Sequence, residues 1–108
     1  MANVNKATVM GVLGRDPETK QFHNGGSITT FSVATTEFWK DKTTGERREV
    51  TEWHRITTSN RLAEIASKYL KKGSKVYIEG SMRTRKWKDS KGTDREITEI
   101  RADELQLL

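Results

Sequence analysis

Only one stretch of this 108-residue chain spaces its apolar residues as a helix does. Leu62, Ile65, Ala66 and Tyr69 recur at i, i+3, i+4 and i+7, which predicts one buried helical stripe with Tyr69 in the core. Ser59 or Asn60 can cap its start, Lys71 and Lys72 suit its negative end, and Gly73 fits a left-handed stop. Everywhere else the period is two. Val4 to Leu13 is apolar and β-prone, with Gly11 as a bend or close-approach point. Ser27 to Glu37 follows the hairpin signal Asn24-Gly25-Gly26, itself preceded by Gln21-Phe22-His23. Arg48 to Thr58 sets Val50, Glu52, His54 and Ile56 against Thr51, Trp53, Arg55 and Thr57. After the helix, Val76, Ile78, Gly80 and Met82 alternate against Tyr77, Glu79, Ser81 and Arg83, and a last strand covers Arg95 to Leu107. Asp16-Pro17, the charged run from Lys40 to Arg48, and Asp89 to Thr93 read as turns and loop tips.

The order is three strands, a helix, then two strands, within one domain spanning residues 1–108. Fourteen threonines against one proline agree with a strand-rich chain. Five strands must hide their edges, and closing into a small barrel does so. The predicted fold is therefore all-β with one helix: a five-stranded Greek-key OB-fold barrel with the helix between strands 3 and 4. Hydrophobic residues make up only 32% of the chain, a thin supply that hints at subunit association.

Charge is unevenly placed. Between Lys71 and Arg95 stand nine bases and three acids, so this segment is +6 and the rest of the chain is −1. A tryptophan inside that strip favours a polyanion-binding surface over a merely solvated one. Cysteine is absent, which excludes disulfides, thiolate metal sites and cysteine nucleophiles. The segment Met1-Ala2-Asn3-Val4-Asn5-Lys6 has no signal-peptide core, and no apolar run approaches a membrane span. A cytoplasmic location is expected, with no membrane partner.

Trp39, Trp53 and Trp87 all sit in hydrophilic contexts. Strand alternation projects Trp53 with Arg55 and Trp87 with Arg83 and Arg85, while Trp39 neighbours Lys40 and Lys42. A protein that accepts any base sequence needs flat rings beside positive charge, because an unpaired nucleotide offers a π-face and a phosphate. Duplex reading fits less well, since the lone helix has no base-reading face. His23 and His54 stand in no metal or triad spacing, and neither a G-x-S-x-G elbow nor a Walker loop is present. Glu49 and Glu52 point to opposite faces of their strand, so pairing with Arg47 or Arg48 is expected instead of a metal site. No cofactor and no catalytic activity are expected.

Several motifs resemble those of bacterial single-stranded DNA-binding proteins (SSB), in order along the whole chain. They are Leu13-Gly14-Arg15-Asp16-Pro17-Glu18, Asn24-Gly25-Gly26, Thr51-Glu52-Trp53-His54-Arg55-Ile56, Leu62-Ala63-Glu64-Ile65-Ala66, Lys72 through Gly80, and Arg83-Thr84-Arg85-Lys86-Trp87. The resemblance implies a homotetramer that coats single-stranded DNA in replication, recombination and repair, in the nucleoid. It implies that Trp39, Trp53 and Trp87 stack on bases and that Lys42, Arg55, Arg61, Lys72, Arg85 and Lys86 face phosphates. It also implies that His54 and Tyr77 fall at the oligomer interface. Two departures stand out: Ser59 replaces an aromatic stacking residue, and the chain stops at Leu108, short of the acidic tail that recruits replication and repair proteins in this family. Those partners are expected only if a tail exists beyond this chain. Other readings are a primosome-type or RNA-binding OB-fold protein and, in another class, an oligomerisation scaffold.

Overall fold

The computed structural model describes residues 2–108. Met1 of the N-terminal segment read above lies outside them. Six strands and one helix run in the order β1 (Ala7–Leu13), β2 (Glu18–Gln21), β3 (Ser27–Lys40), β4 (Arg47–Ser59), α1 (Asn60–Tyr69), β5 (Lys75–Lys88) and β6 (Asp94–Leu107). The sheet order is β1-β5-β6-β4-β3-β2, and a further β1–β3 pairing at Val12↔Ala34 and Leu13↔Val33 closes five of the strands into a barrel. β4 and β6 pair in parallel at Ile56↔Ile100 and Thr57↔Arg101, the crossover that makes the barrel a Greek key of OB-fold type.

The helix thus lies between the fourth and fifth strands, not between the third and fourth. The extra strand is β2, whose Glu-Thr-Lys-Gln sequence is exposed on both faces and so carries no alternation to read. It follows the Gly14–Pro17 turn and pairs antiparallel with the start of β3, whereas β1 pairs with β5 and, at its end, with β3.

Closure needs two backbones to approach without a side chain between them. A Cβ on Gly80, at the bulge after Glu79, would lie 1.9 Å from the Arg101 carbonyl oxygen, and one on Gly11 would lie 2.2 Å from that of Ala34. Inward residues of the alternating strands form the core: Val9, Leu13, Phe31, Val33, Ile56, Val76, Ile78, Ile100 and Ala102, with Ala66 and Leu70 from the helix end.

The helix buries a different stripe from the predicted one. Ala63 and Ala66 are fully buried, Leu62 and Ile65 half-buried, and Tyr69 is 57% exposed with Lys68 Nζ 5.5 Å from its ring. Leu70 fills the core position instead, because the helix ends at Tyr69 and the extended backbone of Leu70 turns its side chain inward. Small residues also let the helix sit close: Thr29 Oγ1 donates to the Ala63 carbonyl at 2.8 Å. Ser59 stands at the N-cap without a side-chain capping bond, and Gly73 serves the turn into β5 and not the helix stop.

Beyond the barrel, β3–β4 and β5–β6 continue as two hairpin arms, and both faces of each lie in solvent.

Candidate nucleic-acid interface

Five adjacent strands each lend side chains to one outward face. In sheet order, β5 gives Arg83 and Arg85, β6 gives Glu99 and Arg101, and β4 gives Arg55 and Thr57. β3 gives Ile28 and Thr30, and β2 gives Glu18 and Lys20, with Phe22 just beyond it. The curvature of the sheet makes of them an open furrow of about 440 Å³, within the range of roughly 300–1,000 Å³ usual for binding clefts. Five cations face two carboxylates across it.

One of those carboxylates organises the cations. Glu99 is 8% exposed on β6. It accepts a hydrogen bond from the Thr57 hydroxyl and one from Arg85 Nε at 3.0 Å, and lies 3.6 Å from Arg55 Nε. Burial pushes its carboxyl up, but the Thr57 hydroxyl and the Arg85 and Arg55 charges outweigh that and hold it below the ordinary carboxylate range. Glu99 is thus an anion at neutral pH, and it fixes the direction of both guanidinium groups. Arg55 Nε is buried without a hydrogen-bond partner, so its geometry toward Glu99 is charge pairing alone.

Aromatic rings flank the furrow. Arg85 lies 5.0 Å from the centroid of Trp87, two residues along the same face. Trp53 shares the face of Arg55 by strand alternation and rests against Gly14, where a Cβ would come within 2.4 Å of the indole. The indoles of Trp39, Trp53 and Trp87 are 50%, 61% and 41% exposed, so none belongs to the core. Trp87 also lines a second, more open depression near the tip of its arm with Lys86, Lys88, Arg95 and the acids Asp94 and Glu96.

The tertiary structure gathers some of the predicted site residues and disperses others. Arg55, Arg83 and Arg85 line the furrow. The register Trp39↔Arg48 places Trp39 on the opposite face of the β3–β4 arm from Trp53, which pairs with Ala34. Lys42 sits in the loop at that arm's tip, Arg61 in the first turn of α1, and Lys72 in the turn before β5, where its backbone N–H donates to Asp16 Oδ1 at 2.8 Å. Lys86 alternates away from Trp87. His54 is half-buried on the inward side of β4 and bonds Thr35 Oγ1 at 2.8 Å, whereas Tyr77 faces outward on β5 beside Met10. Arg48 pairs with Asp41 (3.7 Å) and Glu46 (3.5 Å), and Arg47 stacks 4.3 Å over Phe38, so neither pairs with Glu49 or Glu52.

Sequence reasoning missed Phe22, Phe38, Lys20, Glu99 and Arg101. Phe22 and Phe38 were available to the argument used for the tryptophans, being aromatic residues in polar runs, and are 48% and 53% exposed. Glu99 left no such trace, since its partners lie on other strands.

A closed Greek-key barrel with a cationic, ring-flanked outer furrow defines an OB-fold protein of the oligonucleotide-binding kind. The model of the single-strand binding protein family matches residues 4–108, and the chain belongs to that family. Among solved structures it is similar to a Plasmodium falciparum SSB determined in complex with ssDNA: TM-score 0.87, 38% identity, over 100% of this chain and 97% of that one. It is also similar to a deletion mutant of the single-stranded DNA binding protein from Thermus aquaticus: TM-score 0.81, 26% identity, over 97% of this chain and 50% of that one.

Proposed function

We propose that this protein binds single-stranded DNA without sequence preference and protects strands exposed in replication, recombination and repair, with no catalytic step. The observation that carries this is the pairing of open indoles with held guanidiniums: Trp87 under Arg85 and Trp53 beside Arg55, both arginines directed by Glu99. Bases stack on Trp53 and Trp87 while Arg55, Arg83 and Arg85 meet phosphates. Trp39, Lys42, Arg61, Lys72 and Lys86 lie off the furrow, which suits a strand that leaves it and continues over other faces of an assembly. A site of roughly 4–16 nucleotides per barrel and a steep loss of affinity with salt are expected.

The assembly is a homotetramer, with His54 and Tyr77 at its contacts. This is supported by exposed apolar residues on the outer face of β1, Met10 (54%) and Val12 (41%), flanked by Tyr77. Among the described residues β1 pairs with β3 only at Val12 and Leu13, leaving one edge of Ala7–Met10 open to pairing with a second copy. Beside that patch Glu79 is held down to about 2 by hydrogen bonds from Lys6, Tyr77 and Glu104, and Glu104 is raised by sharing that contact. Among the described residues no helix is long and apolar enough to cross a membrane. A cytoplasmic, nucleoid-associated location accords with the proposed role.

Titration of the intrinsic tryptophan fluorescence with oligo(dT), matching duplex and RNA tests the reading. Strong quenching by oligo(dT) alone supports it. Equal quenching by RNA favours an RNA-binding OB-fold protein, and no response to any of the three favours a scaffold. Light scattering of the native protein checks the tetramer.

A further inference from the structure

We propose that Phe22 is a base-stacking platform on the far wall of the furrow, so that the bound strand crosses all five strands from Trp87 to β2. This inference rests on the single-strand-binding reading above. Lys20, Ile28 and Ser59 form one outward row through the pairings Lys20↔Ile28 and Ile28↔Ser59, and Phe22 stands one pleat further along the Lys20 side. The wall opposite is Arg83 and Arg85 of β5. Between the two lie Ile28, Thr30, Thr57 and charged side chains, so among the described residues Phe22 is the one aromatic ring lining this furrow. The ring has what stacking requires: it is half open to solvent at 48% exposure, and the cation of Lys20 is two residues away on the same face.

Its position is fixed. Phe22 N–H donates to the Gly26 carbonyl at 2.8 Å, Gly25 N–H returns to the Phe22 carbonyl at 3.0 Å, and Asn24 Oδ1 accepts from Gly26 N–H at 2.9 Å. Phe22 therefore sits on a hydrogen-bonded turn, so the backbone that carries the ring is already held in place before a base arrives. Phe31 shows what the fold does with a phenyl ring it needs for stability, which is to bury it to 5% exposure.

The test measures binding of a labelled oligo(dT), by anisotropy, to the full chain and to Phe22→Ala, Phe22→Leu, Phe22→Tyr and Trp87→Ala, with thermal melts confirming folding. The same series is repeated on a strand with an abasic spacer scanned along it. The expected result is a loss of roughly 5- to 150-fold for Phe22→Ala and Phe22→Leu, retention for Phe22→Tyr, and disappearance of the loss at one spacer position. Leucine keeps the apolar bulk, so it separates stacking from a structural role even if the alanine variant misfolds. If Phe22→Leu binds like the wild type while Trp87→Ala is weakened, Phe22 is not a platform and the single-strand reading stands. If the loss persists at every spacer position, the ring is structural and the proposal fails. A wild type that does not bind oligo(dT) overturns both.

Discussion

The two ends of the long strands are different objects. At the barrel end, β3 alternates buried and half-buried residues from Ser27 to Ala34, and β5 buries Val76, Ile78 and Gly80 in turn. At the arm end the same strands, from Glu37 to Lys40 and from Arg83 to Lys88, are exposed on both faces. The arms therefore hold no core. They are kept together by cross-strand threonine pairs, Thr36 with Thr51 at 3.0 Å and Thr84 with Thr98 at 3.1 Å, and by a shared device at their tips. In one tip Asp41 Oδ1 accepts from Thr43 and Thr44 N–H while its carboxylate faces Arg48. In the other, Asp89 Oδ1 accepts from Lys91 and Thr93 N–H while Oδ2 meets Arg95 at 3.1 Å. Stability resides in the barrel, and the outer faces are free to carry rings and charges.

The sharpest way to break this division is a cavity in the barrel. Ile56→Ala, at a side chain with no solvent exposure, removes about 2–5 kcal/mol of stability in chemical denaturation. An equal loss from truncating an arm residue would refute the contrast. Next comes Trp87→Ala, expected to weaken oligo(dT) binding by about 1–3 kcal/mol while leaving the melting temperature unchanged. If instead the variant unfolds and its refolded fraction binds normally, the arm is structural.

A smaller effect tests the join between the two regions. Glu99 is held below its ordinary value in the folded protein, so the stability it contributes is complete above the ordinary carboxylate pKa. That contribution is lost as pH falls through the lowered folded value. Glu99→Gln should abolish this acid-side dependence and, by releasing Arg85, change the fluorescence of Trp87. An unchanged pH profile would mean that Glu99 does not direct the arginine. The smallest expected effect is local. Asp89→Ala should speed amide hydrogen exchange at Lys91 and Thr93 without changing exchange in β1, and faster exchange in the barrel would contradict the independence of the arms.

Much of this architecture was legible in the sequence because it is written in short-range periods. The one helix, the hairpin at Asn24-Gly25-Gly26, the inward row Val76, Ile78 and Gly80, and the same-face placement of Arg85 with Trp87 all follow from alternation or turn chemistry over a few residues. What escaped depends on closure. Strand β2 has no apolar alternation, because its exposed residues matter only through pairing with β3. Tyr69 fits the helical stripe perfectly well. It lies outside because the helix ends there and Leu70 reaches the core first.

The sequence by itself determined that this chain is a small strand-built barrel with rings set among cations, since those properties are local and repeat at fixed spacing. Only the tertiary structure decided which of those groups share a surface. Glu99 meets Arg55 and Arg85 because β6 lies between β4 and β5. The parallel β4–β6 pairing brings Glu99 to Thr57, 42 residues away, and the antiparallel β5–β6 hairpin brings it to Arg85, 14 residues away. Trp39 and Trp53 part company because the pairing register sends them to opposite faces. Neighbourhood across a closed sheet is set by which strands bond to which, and no period along the chain encodes that.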